Sequence, residues 1–149
     1  MQNKGGRILG LDYGDKTIGV AVSDPSEKVA LGLETVRREI PEAIKPSMKR
    51  IGELIEEYSA YAIVLGYPTH LDGNPSKRSE LTVHFKKKLE QRFNNIPVYL
   101  FDERLSTIAV TRVFEGERGA SRRLAKQVDE MAAVYILQGY LDKKNNEGT

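Results

Sequence analysis

The N-terminal segment RILGLDYGDKTIGVAVS, residues 7–23, contains two apolar runs joined by a short polar turn. The first run ends at Asp12, and the turn Tyr13-Gly14-Asp15-Lys16 leads into a second run that is rich in β-branched residues. Two such runs with a short Gly/Asp link are typical of a β-hairpin. A third apolar run follows at Val29–Arg37, so the sequence predicts three consecutive antiparallel strands at the start of the chain.

The hydrophobic pattern then alternates between the periods of helices and of strands. The predicted elements are a helix from about Pro46, a strand at Tyr61–Gly66, a helix at Ser79–Arg92, a strand at Val98–Phe101 and helices at Ser106–Phe114 and Arg122–Leu141. The two later strands are short and almost wholly apolar, as in a parallel sheet. Strands that cross over through helices extend the hairpin, so the predicted fold is α/β, a mixed sheet flanked by helices.

Length and composition limit the chain to one domain of ordinary soluble type. Its 149 residues can form one core and hardly two, so we predict a single domain over residues 1–149, with residues 143–149 as a frayed tail. The chain has no cysteine and only 2 histidines, which excludes disulfides, cysteine nucleophiles and multi-histidine zinc sites. The polar N-terminus lacks a signal-peptide core, and no uncharged run is long enough to cross a bilayer. We therefore predict a cytoplasmic protein without a membrane segment.

The net charge of +2 conceals an uneven distribution. Residues 77–126 contain 12 Lys and Arg against 6 Asp and Glu, a net charge of +6, whereas the rest of the chain has a net charge of −4. Such asymmetry favours an anionic partner. The triplet Lys86, Lys87 and Lys88 can equally be the solvated face of a helix, so it does not identify that partner by itself.

Three carboxylates lie at positions where the predicted fold can present a reactive side chain to a substrate. Asp12 ends the first strand, Glu103 ends the last strand, and Asp129 lies just before the apolar face of the last helix. Two carboxylates about 4 Å apart repel by roughly 4 kcal/mol at an effective dielectric constant near 20, so a converging set takes up protons or holds a cation. Oxygen donors without cysteine favour a hard cation such as Mg²⁺ or Mn²⁺. Such ions support phosphodiester hydrolysis without a cysteine, serine or histidine nucleophile.

Each of these acids also has a purely structural interpretation. Asp12 can cap the following turn, and Asp129 can be an exposed helix residue. Glu103 can pair with Arg104 or with Arg7. Neighbours on a regular strand point to opposite faces, so only one of Asp102 and Glu103 should enter a site, and residue chemistry alone does not choose between them.

Basic residues close to the acids are candidates for gripping phosphates on either side of a cleaved bond. Arginine suits this task because its fork of donors matches two phosphate oxygens. The candidates are Arg104, Arg118, Arg122, Arg123 and Lys126. The alternatives are that the last three form the solvated start of a helix and that Arg104 only pairs with Glu103.

Four ordered motifs resemble those of the YqgF/RuvX family. They are GLDYGDKTIGVAVSD at residues 10–24, VLGYP and LDG within residues 64–73, DERLST at residues 102–107, and VDEMAAVYILQGYLD at residues 128–142. Members of this family are described as Holliday-junction resolvases and as nucleases of the 16S rRNA precursor. The resemblance implies a ribonuclease H-like fold, with a five-stranded mixed sheet flanked by helices. It also implies that the catalytic and metal-binding acids are Asp12, Glu103 and Asp129.

The chain departs from the family pattern at a few positions. The family often has a basic residue where Thr17 stands and an asparagine where His70 stands. It commonly carries more lysines where this chain has Leu124 and Ala125. These departures leave the three acids intact, but they leave the details of substrate contact open.

The residues and the resemblance together favour a nuclease that depends on one or two Mg²⁺ or Mn²⁺ ions and acts on structured nucleic acid. Nothing in the residues separates RNA from DNA. The resemblance places processing of the 5′ end of the 16S rRNA precursor, with ribosomal components as further partners, above resolution of branched DNA such as a Holliday junction.

A third hypothesis is a non-catalytic module that binds nucleic acid or the ribosome. The three acids disfavour it, because a module that only binds has no need of a metal-binding cluster. We expect a monomer or a weak homodimer. Paired cuts in a junction would require the dimer, so the oligomeric state helps to separate the hypotheses.

Overall fold

The computed structural model describes residues 6–69, 74–105 and 122–147, and for residues 122–130 it describes the backbone alone. In chain order the elements are β1 (Arg7–Tyr13), β2 (Thr17–Ser23), β3 (Ala30–Arg37), α1 (Lys45–Tyr58), β4 (Ala60–Tyr67), α2 (Lys77–Arg92), β5 (Val98–Asp102), a 3₁₀ turn (Glu103–Leu105) and α3 (Arg122–Glu147). The predicted helix at Ser106–Phe114 lies outside the described residues.

The strands form one five-stranded sheet in the order β3-β2-β1-β4-β5. The first three strands pair antiparallel, β4 pairs parallel with β1, and β5 pairs parallel with β4, with α1 and α2 as the crossover helices. This is the mixed sheet predicted from the sequence. The parallel arrangement brings the carboxyl ends of β1, β4 and β5 to one edge of the sheet.

Helices cover both faces of the sheet. Side chains on a strand alternate between its two faces, so each strand contributes apolar residues to a core on either side. Leu9 and Leu11 of β1 belong to the core shared with α1 and α2, together with Ile51, Phe85 and Leu89. The other face is covered by α3, where Ile8, Val64, Ala133, Ile136 and Leu137 form a second core. Asp12 follows Ile8 and Gly10 in the alternation of β1, so it belongs to the α3 face.

Gly10 allows α3 to lie directly on β1. A Cβ atom placed on Gly10 would be 2.7 Å from Cβ of Leu137 and 3.2 Å from the carbonyl oxygen of Ala133. Any larger residue would push the helix away from the strand. The absence of a side chain at this position therefore determines how close α3 comes to the strand that carries Asp12.

The helix boundaries follow from local chemistry. Pro46 stands in the first turn of α1, as predicted, where its missing N–H needs no partner. α2 begins at Lys77, two residues earlier than predicted, because Ser76 and Ser79 form a reciprocal capping box. The Ser79 amide donates to Oγ of Ser76 at 3.1 Å, and the Ser76 amide donates to Oγ of Ser79 at 2.7 Å.

The C-terminal residues differ from the predicted frayed tail, because α3 continues to Glu147. Its last turns are held by Glu27, which follows β2. The Glu27 carboxylate accepts hydrogen bonds from Lys144 and from the Tyr61 hydroxyl, and the Asn145 amide donates to the Glu27 carbonyl at 3.0 Å. The contacts of Lys144 and Asn145 with Glu27 join positions more than 100 residues apart, so the local sequence does not reveal them.

We expect the end of α3 to loosen in acid. Burial raises the pKa of Glu27, but hydrogen bonds from Lys144 and Tyr61 outweigh it, so the pKa lies below its ordinary value of 4.5. A lowered carboxyl pKa stabilises the fold above the ordinary value, and that stabilisation is lost as the pH falls through the folded pKa. Amide hydrogen exchange near Asn145 should therefore lose protection as the pH falls below 4.5. Glu27→Gln should show weak protection that does not depend on pH in this range, and an identical pH response in both proteins would contradict the assignment.

Within the described ranges, none of the helices combines the length and the apolar character needed to cross a membrane.

Candidate active site

The predicted acids Asp12 and Glu103 lie at the edge where the three parallel strands end. Asp12 is the penultimate residue of β1, and Glu103 directly follows β5. Between them runs β4, whose Leu65 pairs with Leu11 and whose Gly66 pairs with Phe101. Neighbouring strands are about 4.8 Å apart, so the two acids flank the end of β4 from either side.

Asp12 is a buried carboxylate, since only 6% of the residue is exposed. It pairs with Gly19 of β2 across the hairpin. On the side of α2, Nη2 of Arg78 lies 3.9 Å from Oδ1 of Asp12. A carboxylate is costly to bury unless a cation or hydrogen-bond donors compensate it, so this position is not one that simple packing would select.

Glu103 is equally buried, with 6% of the residue exposed, and it begins the short 3₁₀ turn after β5. Its Oε2 lies 3.2 Å from the point that a Cβ on Gly66 would occupy, and Cδ1 of Ile136 lies 2.4 Å from the same point. The missing side chain of Gly66 thus leaves space for the Glu103 carboxylate. Because Ile136 belongs to α3, Glu103 and Asp12 are on the same face of the sheet.

Asp102 has a different role from its neighbour. Its Oδ2 accepts hydrogen bonds from Nε of Arg104 at 3.0 Å and from Nη2 at 2.7 Å, and its Oδ1 accepts one from the Arg104 amide at 2.9 Å. Hydrogen bonds from Arg104 hold the pKa of Asp102 below its ordinary value. Asp102 therefore forms an ion pair with Arg104, whereas Glu103 is the buried carboxylate of the two. The Arg104 side chain remains partly exposed.

The backbone of Asp129 belongs to α3, one turn before Ala133, whose carbonyl lies against Gly10. Two residues further along, Met131 lines a surface depression together with Thr35 of β3. Thr35 pairs with Gly19, which pairs with Asp12, so the backbone of α3 extends toward the edge at which Asp12 lies.

The structure describes the remaining predicted site residues only in part. Arg122, Arg123 and Lys126 are in the backbone-only part of α3, and Arg118 and His70 lie outside the described residues. Among the side chains that the structure describes, which do not include Asp129, no three His, Asp or Glu residues are grouped closely enough for a metal site. The structure thus places Asp12 and Glu103 on the same face at one edge of the sheet, and the third acid stays a prediction.

Two arginines in the Asp12 region are not among the residues that the sequence predicts for the site. Arg78 is one of them. The other is Arg38, which is buried after β3 and donates from Nη2 to the carbonyls of Gly14 and Asp15 in the β1–β2 turn. Its guanidinium also lies 5.0 Å from the ring of Tyr13. Both arginines join the Asp12 region through contacts between distant parts of the chain, so no local pattern points to them.

Comparisons with known proteins show which proteins this chain is similar to. A family model described as RuvX, Holliday junction resolvase, matches residues 6–143. A protein of Acetivibrio thermocellus named "Putative pre-16S rRNA nuclease" is 45% identical over 139 residues, which cover 93% of this chain and 96% of that protein. A protein of Bacillus subtilis with the same name is 43% identical over 139 residues, covering 93% of this chain and 99% of that protein.

A solved structure with the same architecture is RuvC of T. thermophilus in complex with a Holliday junction substrate. It matches with a TM-score of 0.54 and 18% identity, over 94% of this chain and 96% of RuvC. At this identity the match shows the fold alone. The fold is ribonuclease H-like, as the motifs had indicated.

Proposed function

The chain belongs to the RuvX family, and we propose that it is a metal-dependent nuclease that processes the 5′ end of the 16S rRNA precursor. The names of its relatives support the substrate, and the buried pair of Asp12 and Glu103 supports the chemistry. A nuclease with this substrate acts in the cytoplasm, where ribosomal components are its further partners.

The observation that carries this proposal is the burial of two carboxylates on one face of one sheet edge. Asp12 and Glu103 are each 6% exposed and flank the end of β4. Two like charges in such a place are costly unless a cation accompanies them. Their oxygens fit Mg²⁺ or Mn²⁺, both of which prefer carboxylate ligands. We propose Asp129 as the third ligand, because its helix position is one turn before Ala133.

One or two bound ions would lower the pKa of an attacking water and stabilise the leaving oxygen of the phosphodiester. The chain itself contributes the placement. Asp12 is part of β1, Glu103 directly follows β5, and Gly66 leaves space beside Glu103. We propose that Arg104, Arg118, Arg122, Arg123 and Lys126 bind phosphates along the substrate, as Arg and Lys commonly do.

The test is a panel of substrates with Mg²⁺ or Mn²⁺: a precursor RNA that spans the 5′ end of 16S rRNA, a single-stranded RNA, a DNA duplex and a four-way DNA junction. We expect cleavage of the precursor RNA, and no paired cuts in the junction. Asp12→Asn should abolish cleavage. If the wild type and Asp12→Asn act alike on every substrate, this site does not catalyse the reaction.

Holliday-junction resolution is the second candidate, because the matching family model carries that description. Paired cuts require two active sites, so a resolvase must be a dimer on its substrate. Light scattering with and without the junction separates the two candidates. We expect a monomer or weak dimer, and a stable dimer that makes symmetric cuts in the junction would replace RNA processing with DNA resolution.

A further inference from the structure

Arg78 reaches the acidic edge from the face opposite to α3. It is the second residue of α2, which packs on the core that contains Leu9 and Leu11. Its Nη2 lies 3.9 Å from Oδ1 of Asp12 and donates a hydrogen bond to the carbonyl of Tyr13 at 3.2 Å. The guanidinium is therefore held beside the proposed catalytic carboxylate by the backbone of β1.

The interaction between Arg78 and Asp12 is loose. Charge-assisted hydrogen bonds are about 2.7–2.9 Å long, so the 3.9 Å separation is an electrostatic contact rather than a hydrogen bond. The Arg78 side chain is 41% exposed. Its partner Asp12 is buried, with a side chain that is 8% exposed, so Arg78 presents part of its guanidinium to solvent at the rim of the site while it stays beside the carboxylate.

A phosphodiester that approaches Asp12 and Glu103 meets two buried negative charges. A cation at the rim reduces this repulsion, and the planar fork of an arginine can hold two phosphate oxygens at once. We propose that Arg78 binds the non-bridging oxygens of the phosphate positioned at Asp12 and Glu103. This assignment rests on the proposed nuclease function and adds a substrate-binding residue on α2 to the basic residues proposed above.

The test uses Arg78→Gln, which removes the charge and the fork, and Arg78→Lys, which keeps the charge alone. Arg92→Gln is the matched control, because Arg92 is exposed on the same helix, about 21 Å further along its axis. All three variants should keep the melting temperature of the wild type, since Arg78 forms one hydrogen bond and one long ion pair within the part of the chain that the structure describes.

Binding of the precursor RNA is measured by fluorescence anisotropy between about 50 and 200 mM KCl, in an Asp12→Asn background that prevents cleavage. Adding Arg78→Gln should make the slope of log K against log salt concentration shallower by about 0.7–0.9, the loss of one phosphate contact. Arg78→Lys should restore the slope, and Arg92→Gln should leave it unchanged. An unchanged slope with Arg78→Gln would show that Arg78 does not touch phosphate.

Cleavage provides a second readout. With Asp12 intact, Arg78→Gln should lower kcat by at least about 10-fold, and Arg78→Lys should recover only part of it because it lacks the fork. Wild-type kcat in Arg78→Gln would overturn the assignment. If the wild type cuts no RNA at all, the proposed function fails, and the salt slope still decides whether Arg78 contacts phosphate.

Discussion

Replacing Asp12 with Asn is expected to lower the rate of RNA cleavage by at least about 100-fold, because loss of a residue that merely supports a metal ligand already costs 10–100-fold. The fold should survive. Asn has the shape of Asp, and the substitution removes a charge from a position that is only 6% exposed. Without metal, the melting temperature of Asp12→Asn should therefore equal or exceed that of the wild type.

Two further variants complete this experiment. Glu103→Gln should show a loss of similar size, because Glu103 is equally buried at the same edge. Asp15→Asn is the matched control, because Asp15 lies three positions after Asp12 and is exposed. This variant should cleave the RNA at the wild-type rate. Rates are compared by single-turnover cleavage of a labelled precursor RNA. Equal losses in Asp12→Asn and Asp15→Asn would mean that the charge of the loop matters and the buried site does not.

Replacing Gly10 with Ala is expected to destabilise the protein by about 1–3 kcal/mol, the range found for overpacked cores. The new methyl group would lie 2.7 Å from Cβ of Leu137 and 3.2 Å from the carbonyl oxygen of Ala133. Neither atom is at the flexible end of a side chain, so α3 itself must move away from β1. Because α3 also carries Asp129, cleavage should fall together with stability.

Gly32→Ala provides the comparison for this effect. Gly32 lies in β3, and its added methyl group would be 3.4 Å from Cγ2 of Val134, which is an ordinary contact. Its free energy of unfolding should remain within about 0.5 kcal/mol of the wild type. Both variants are measured by urea denaturation. A loss of stability in Gly32→Ala equal to that in Gly10→Ala would show that the β1–α3 contact is not special.

The sheet could be predicted because its information is local. The apolar runs around Asp12 and the short strand that ends at Gly66 show their period directly, and the order of elements then restricts the topology. The errors occur where contacts between distant residues override the local pattern. The polar end of α3 looks disordered in the sequence, yet Lys144 and Asn145 are held by Glu27 at the far end of the sheet.

The candidate site, too, could be predicted only in part from the sequence. The sequence offers Asp102 and Glu103 as equal alternatives, and the family resemblance favours Glu103. The structure gives the physical reason, since Asp102 is bound by Arg104 while Glu103 occupies the space beside Gly66. Arg78 contacts the carbonyl of a residue 65 positions away, and such a contact leaves no periodic signal in one sequence.

The central claim is tested most directly by measuring Mn²⁺ binding. The readout is the decrease of the electron paramagnetic resonance signal of free Mn²⁺ when protein is added. The wild type and Asp15→Asn should bind one or two ions, and Asp12→Asn and Glu103→Gln should each weaken the binding by at least about 10-fold. The same pair of variants is predicted to lose cleavage, so binding and activity should fall together. Wild-type affinity for Mn²⁺ in both Asp12→Asn and Glu103→Gln would contradict the assignment of this edge of the sheet as a metal-dependent active site.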